Sequence, residues 1–595
     1  MKKDMKKIIV VSVILIFILT AALSTACSHG GGPSDVDGTS TEATSAPEAV
    51  TTATDGTPAK VTGWFDYGSA LYKRDTFTPG NRESIEFQMA KNEIEGFQYL
   101  LTSDADVDGL RCDVTPLSDG QGHVIDGTVN VVRYLWVDKA DGISEIFTWY
   151  PVFMLPMDDE YQGGSFDVAA DTCRTLYISY RTDADTVPGT YTGKLSVSKN
   201  GDELLSGDVS LRVRDIFYDD KTECLTMVGL GYDKEDGDPY TPAGPESAPA
   251  MGTQHGLGFA NPELTLEYAR FLFENRLCAT YLPFPDDLLN EDFDMVKDYL
   301  NNPRFTGANL RRPYVKTGDD VASISDSAYA TMLAKEYQTA VENGWENKLY
   351  FAGFDEPHVE EQFQVIINNA AWVKRYFPSA KFLDAFGINL TLDGRNVVER
   401  MSDYTTAYCP VINVFKGELK DSLLKLKHER GDTLFWYTCG VPNPDGNRVV
   451  DFMPVIPGTT KRLMFWQQYQ QDVDGFLYWS ITHWNCCYDV WADDYMETDF
   501  KFPKSDAMPT DAGVLIYWHP VTKKPVTTLG FEAMRDGIED FQLFKTAERK
   551  LGREKVLEYV EQLTTDINQY VRYEDGSTEL LNNLKNQVFD LLESA

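Results

Sequence analysis

Two neighbouring acids and a proline, Asp355-Glu356-Pro357, close the apolar run Lys348-Leu349-Tyr350-Phe351-Ala352-Gly353-Phe354. Carboxyls at the end of such a run are candidates for general acid–base work, because catalytic groups of α/β barrels stand where strands end. Consecutive side chains of a regular strand point to opposite faces, so both acids reach one pocket only if the strand breaks here. Pro357 supplies the break, since it cannot continue a ladder and favours an extended Glu356 before it. The same residues also suit a solvated turn ahead of the helical pattern beginning at Glu360, where acids face the helix dipole.

A second cluster, Gly475-Phe476-Leu477-Tyr478-Trp479-Ser480-Ile481-Thr482-His483-Trp484-Asn485, begins as a buried strand and ends in rings and amides. Such an end offers a surface for stacking and polar atoms for hydroxyls. Trp436-Tyr437-Thr438-Cys439 ends another strand in the same style. Core packing accounts for each ring taken alone; several strands ending this way point to a ligand pocket. Other chemistries find little footing. The seven His form no HExxH, the eight cysteines after Cys27 form no CxxC, and no Gly-x-Ser-x-Gly elbow or phosphate-binding glycine loop opens a helix. Neither a metal nor a cofactor is called for. The scattered cysteines suggest small buried side chains, and no disulfide pairing is assigned. Aromatic residues at 12% suit sugar faces, whereas a net charge of −38, from 54 basic against 92 acidic residues, repels polyphosphates and excludes nucleic acid as a partner.

Groups of this kind need strands that end together on one face. After about residue 220 short apolar runs alternate with helix-length amphipathic segments. Strands are expected at 225–230, 278–283, 348–354, 382–386, 407–414, 433–438, 475–481 and 513–517, and helices at 265–275, 327–343, 360–376, 419–429 and 531–551. Eight strands with interleaved helices predict a (β/α)8 barrel, whose catalytic groups stand at the C-terminal strand ends. Residues 59–218 instead show short β-branched and aromatic runs with turn signals such as Val187-Pro188-Gly189, which predict a β-sandwich. Residues 28–58 hold no Phe, Tyr, Trp or Leu and read as a disordered tether. Residues 1–27 read as an export signal: Lys2, Lys3, Lys6 and Lys7, an apolar run from Ile8 to Ala22, then small residues before Cys27, which suit lipidation of that cysteine. The expected protein is a cell-surface lipoprotein or a secreted one, touching a membrane only through the lipid.

Lys91-Asn92-Glu93-Ile94-Glu95-Gly96-Phe97-Gln98, Val187 to Gly193, Phe354-Asp355-Glu356-Pro357, Gly475 to Asn485 and Phe531-Glu532-Ala533-Met534-Arg535-Asp536-Gly537-Ile538-Glu539-Asp540 together resemble glycoside hydrolase family 123 and the wider DUF4091 group. The resemblance spans nearly the whole chain after the tether. It implies an N-terminal β-sandwich, a (β/α)8 barrel over 219–595, and a retaining exo-hydrolase that releases β-linked N-acetylgalactosamine from an oligosaccharide or glycoconjugate. Asp355 and Glu356 take the positions of the family's catalytic acids. The substrate's own 2-acetamido oxygen is then the nucleophile; Asp355 orients it and Glu356 protonates the leaving oxygen and later activates water. Two adjacent acids suffice because no enzyme nucleophile is needed on the far side of the sugar. Tyr437, Trp479, His483, Trp484, Asn485 and Tyr517 are the expected sugar contacts. Where relatives run from a strand through Tyr into Pro-Gly, this chain has Tyr517-Trp518-His519-Pro520, so Trp518 and His519 are expected to reshape the pocket rim. The apolar stripe Phe531, Met534, Ile538, Phe541 and Phe544, with its acid/Arg row, is expected to support the barrel floor or rim. A glycosidase of other sugar specificity and a non-catalytic glycan-binding lipoprotein are the competing readings.

Overall fold

The structure, a computed structural model, describes residues 46–137, 148–231, 245, 247–251, 261–282, 293–310, 314–317, 320–323, 328–353, 356–357, 359–387, 391–392, 395–438, 450–484, 489–491 and 513–595. Cys27, Asp355 and Asn485 lie outside these residues.

The N-terminal region is built from two β-sheets. One sheet orders its strands as Glu48–Thr52, Pro58–Tyr67, Ile94–Ser103, Arg174–Arg181, Gly127–Val137 and Thr148–Pro156, all antiparallel. The other runs Phe166–Val168, Val107–Val114, Gly189–Lys199, Asp202–Phe217 and Ile85–Lys91. Val187-Pro188-Gly189 therefore carries the chain from the first sheet to the second. Between the sheets lie Phe65, Phe87, Phe97, Tyr99, Leu176 and Leu211, with alternate strand residues facing inward as the period of two requires. The expected tether is too long at its C-terminal end. Residues 48–52 pair antiparallel with 58–62 as an edge strand. Backbone pairing needs no apolar side chain there, and Val50 is indeed 70% exposed, so composition alone could not show it.

The C-terminal region holds a seven-stranded sheet in which every pair is parallel. Its order is Leu225–Val228, Gly475–Tyr478, Thr433–Thr438, Ala407–Pro410, Lys381–Phe386, Leu349–Ala352 and Ala308–Leu310. The sheet curls until it is nearly closed: segment 279–281 forms one parallel bridge to Val228 and another to Asn309, on the two end strands. Met227, Tyr350, Leu383, Cys409, Phe435 and Tyr437 fill the space inside. Helices follow these strands and cover the outside; Glu360–Tyr376 buries Phe363, Ile366, Ala370 and Val373 at helical spacing, with acids in its first turn and Lys374 and Arg375 in its last. One expected strand is displaced. Ile516–Trp518 pairs antiparallel with Pro525–Thr527 outside the parallel sheet, and the short Ala308–Leu310 takes a place in the sheet instead.

The helix Leu529–Leu551 buries its apolar stripe as its spacing implies, but Glu532, Arg535, Asp536, Glu539 and Asp540 are buried as well. Their partners come from across the molecule. Arg462 donates to Asp540 Oδ2 at 2.6 Å and to Glu95 Oε2 at 3.0 Å, and Lys585 of the last helix reaches Glu93 at 2.6 Å and Glu95 at 2.7 Å. Burial raises the Glu93 carboxyl to about 7. Burial acts on Glu95 in the same sense, yet Arg462 and Lys585 hold that carboxyl well below the usual range. The acid/Arg row is thus a tie between the sandwich and the parallel-sheet region rather than a sugar-facing rim.

Candidate active site

The strand Leu349–Ala352 delivers the acid pair. Beyond it the chain still leans on its neighbour Lys381–Phe386: Gly353 N–H donates to Leu383 O at 2.8 Å and Glu356 N–H to Ala385 O at 3.2 Å. Glu356 has φ +46°, in the left-handed region, not the extended conformation expected before Pro357. A left-handed non-glycine residue costs about 1–3 kcal/mol and persists only where its surroundings over-determine it. Two contacts do so here. One is the amide bond to Ala385; the other is a short hydrogen bond that Tyr437 Oη donates to Glu356 Oε1. Tyr437 comes from the C-terminal end of Thr433–Thr438, so strand ends three places apart in the sheet converge on one carboxylate. Gly387 leaves room for them: a Cβ there would stand 3.4 Å from both Glu356 Oε1 and Tyr437 Oη.

Trp479 and His483 form a second pair, at the end of Gly475–Tyr478. Their rings lie 4.7 Å apart at 57°, and both residues remain partly exposed. Burial lowers the His483 imidazole to about 4, so near neutral pH it is an uncharged hydrogen-bonding group. Trp479 lies tightly against the first strand of the sheet, where any side chain on Gly229 would collide with its carbonyl oxygen at 1.9 Å.

Two expected sugar contacts are core residues instead. Trp484 is fully buried and its indole N–H donates to Ile516 O at 2.8 Å. Tyr517, also at 0% exposure, packs its ring 5.1 Å from Phe153 of the sandwich. Trp518 and His519 do not shape a rim either. Trp518 is enclosed, its ring 4.9 Å from that of Trp484, and His519 Nε2 lies 3.2 Å from Asp159 Oδ1 of the sandwich. Apolar rings at strand ends serve the domain junction as readily as a pocket, and local sequence does not separate the two. Gly387 and the buried Asp384 escaped sequence reasoning; an acid inside the apolar run Phe382–Phe386 was the available signal for the second.

Tyr437→Phe removes a hydrogen bond to a carboxyl, an interaction of about 1.5–3 kcal/mol, or ~10–100-fold in rate. The expected result is a kcat loss in that range with KM changed less than about threefold. A Tyr437→Phe enzyme with wild-type kcat would show that this contact does not hold the acid.

Residues 317–547 match the family model described as glycoside hydrolase 123, catalytic domain. That stretch is a glycoside hydrolase family 123 catalytic domain. As a glycoside hydrolase it acts on a glycan, and Glu356, Tyr437, Trp479 and His483 all fall within the matched residues. Among solved structures, the chain is similar to a family 123 glycoside hydrolase from Clostridium perfringens, studied for glycolipid glycan hydrolysis. The TM-score is 0.59 at 12% identity over 90% of this chain and 98% of that one. A family 39 glycoside hydrolase from the gut symbiont Bacteroides cellulosilyticus WH2 matches with a TM-score of 0.30 at 11% identity, over 73% of this chain and 80% of that one. A search of the curated proteins finds no match.

Proposed function

We propose that this hydrolase is a retaining exo-enzyme that releases β-linked N-acetylgalactosamine, with Asp355 and Glu356 as its catalytic acids. The observation that carries the reading is the Glu356 carboxyl, held by Tyr437 at the C-terminal end of a parallel strand inside a family 123 catalytic domain. In this scheme the substrate's acetamido oxygen attacks the anomeric carbon as the glycosidic bond breaks. Glu356 gives its proton to the leaving oxygen, and the developing oxazolinium is steadied by Asp355. Water then adds at the anomeric carbon, Glu356 takes back a proton, and the ring reopens with the configuration retained. Trp479 supplies a ring face, and neutral His483 beside it a hydrogen bond.

The surrounding sheet is read as a (β/α)8 barrel in which segment 279–281 takes the remaining strand position, on the strength of its two parallel bridges. The basic start, apolar run and Cys27 favour action outside the cytoplasm from a lipid anchor. With Trp518 and His519 drawn into the core and the domain junction, the departure at those positions gives no reason to prefer another sugar.

The test compares 4-nitrophenyl 2-acetamido-2-deoxy-β-galactoside with the plain β-galactoside. Loss of the acetamido nucleophile should cost at least ~10³-fold in kcat/KM, given the rate advantage of a well-placed intramolecular group. A thiazoline mimic of the oxazolinium should inhibit strongly. Equal turnover of both glycosides, or indifference to the thiazoline, would remove acetamido participation.

A further inference from the structure

Asp384 is a fully buried acid that the scheme above leaves unused. It stands mid-strand in Lys381–Phe386, between Leu383 and Ala385, the two residues whose carbonyls accept the Gly353 and Glu356 amides. Leu383 and Ala385 pack with the apolar cluster inside the barrel, so Asp384 points to the outer side, between strand and helices. There its carboxyl occupies the space a side chain would need at position 353: a Cβ built on Gly353 would lie 2.1 Å from Asp384 Oδ1. Gly353 thus has no side chain because an acid presses on its backbone, two residues before Asp355.

A charge-bearing group is expensive to enclose and is kept in a core only where its surroundings use it. Here one of the neighbours it presses on is Gly353, the residue just beyond the strand that leads to the acid pair. We infer that Asp384 is a positioning residue: its carboxyl braces the backbone at Gly353 and so sets the turn that aims Glu356 at the leaving oxygen. The assignment rests on the proposed role of Glu356 as proton donor. It also explains how a left-handed Glu356 is maintained from below as well as from the side, where Ala385 and Tyr437 hold it.

A residue that aims a proton donor leaves a signature in the leaving-group dependence, because a good leaving group departs without protonation and a poor one does not. The experiment measures kcat and KM of the full chain and of Asp384→Asn and Asp384→Ser on aryl 2-acetamido-2-deoxy-β-galactosides. The leaving groups run from 2,4-dinitrophenol to 4-methylphenol, and thermal melts establish which variants are folded. For a folded variant the expected result is a kcat loss of ~30-fold or more on the 4-methylphenyl glycoside, under about threefold on the dinitrophenyl one, and little change in KM. Gly353→Ala, which crowds the same carboxyl, should reproduce the pattern. A folded Asp384 variant that keeps the wild-type leaving-group dependence, or loses activity equally on every glycoside, overturns the assignment and leaves the hydrolase reading intact. A wild-type chain inactive on the whole series overturns that reading, and the role of Asp384 falls with it.

Discussion

Glu356→Gln should lower kcat by about 10²–10⁴-fold on glycosides with poor leaving groups, the range a positioned general acid contributes. The amide is nearly the same size and can still accept from Tyr437 Oη, so the turn at φ +46° keeps its lateral hydrogen bond. It cannot give up a proton to the departing oxygen. The measurement is steady-state hydrolysis of a 4-methylphenyl glycoside next to a dinitrophenyl one, with a thermal melt to establish that the fold is retained. A folded Glu356→Gln chain with wild-type turnover of both substrates would remove Glu356 from the chemistry and the proposed function with it.

The second large effect concerns stability. Arg462 is 2% exposed and lies among Glu95, Asp536 and Asp540, at 3.0, 3.5 and 2.6 Å. Trp466 adds its indole N–H to the same Asp540 carboxylate at 2.8 Å. Replacing the guanidinium by Met keeps the volume of the stem but leaves buried carboxylates facing one another. Breaking a buried pair in this way costs about 3–5 kcal/mol, a large part of the ~5–15 kcal/mol that holds an ordinary domain together. Arg462→Met should therefore move the urea midpoint sharply downward, read by tryptophan fluorescence. Because Glu95 belongs to the sandwich strand Ile94–Ser103 and Asp540 to the helix Leu529–Leu551, the loss should appear in both regions at once. An unchanged midpoint would mean that the cluster contributes nothing net to the junction.

That tie gives a physical meaning to two of the sequence strings of the family resemblance. Lys91 to Gln98 and Phe531 to Asp540 lie more than four hundred positions apart, yet Ile94 N–H donates to Glu539 at 3.3 Å and Arg276 lies 3.4 Å from the same carboxylate. Among the described residues, the hydrogen bonds of Glu356 go to Ala385 and Tyr437, not to either string. The two strings hold together the platform on which the acid-bearing strand stands.

Much of this protein was legible from local pattern. The helix over 360–376 and the strand over 433–438 follow from apolar spacing and have the bounds the spacing implies. The placing of Glu356 at a strand end follows from an apolar run stopped by Pro357, because period and chain breakers are properties of consecutive residues. What local pattern could not decide is which apolar or polar face meets which neighbour. Ala308–Leu310 is too short to show a period, and only the register of Leu349–Ala352 makes it a strand. Trp484 and Tyr517 resemble pocket rings in sequence but are sealed against the sandwich and the core. Glu356 is turned left-handed, against the preference set by its proline, because Ala385 and Tyr437 stand where the tertiary fold brings them. Spacing along a chain determines which side of an element is oily; only packing decides what covers it, and a buried acid such as Asp384 is placed by that packing alone.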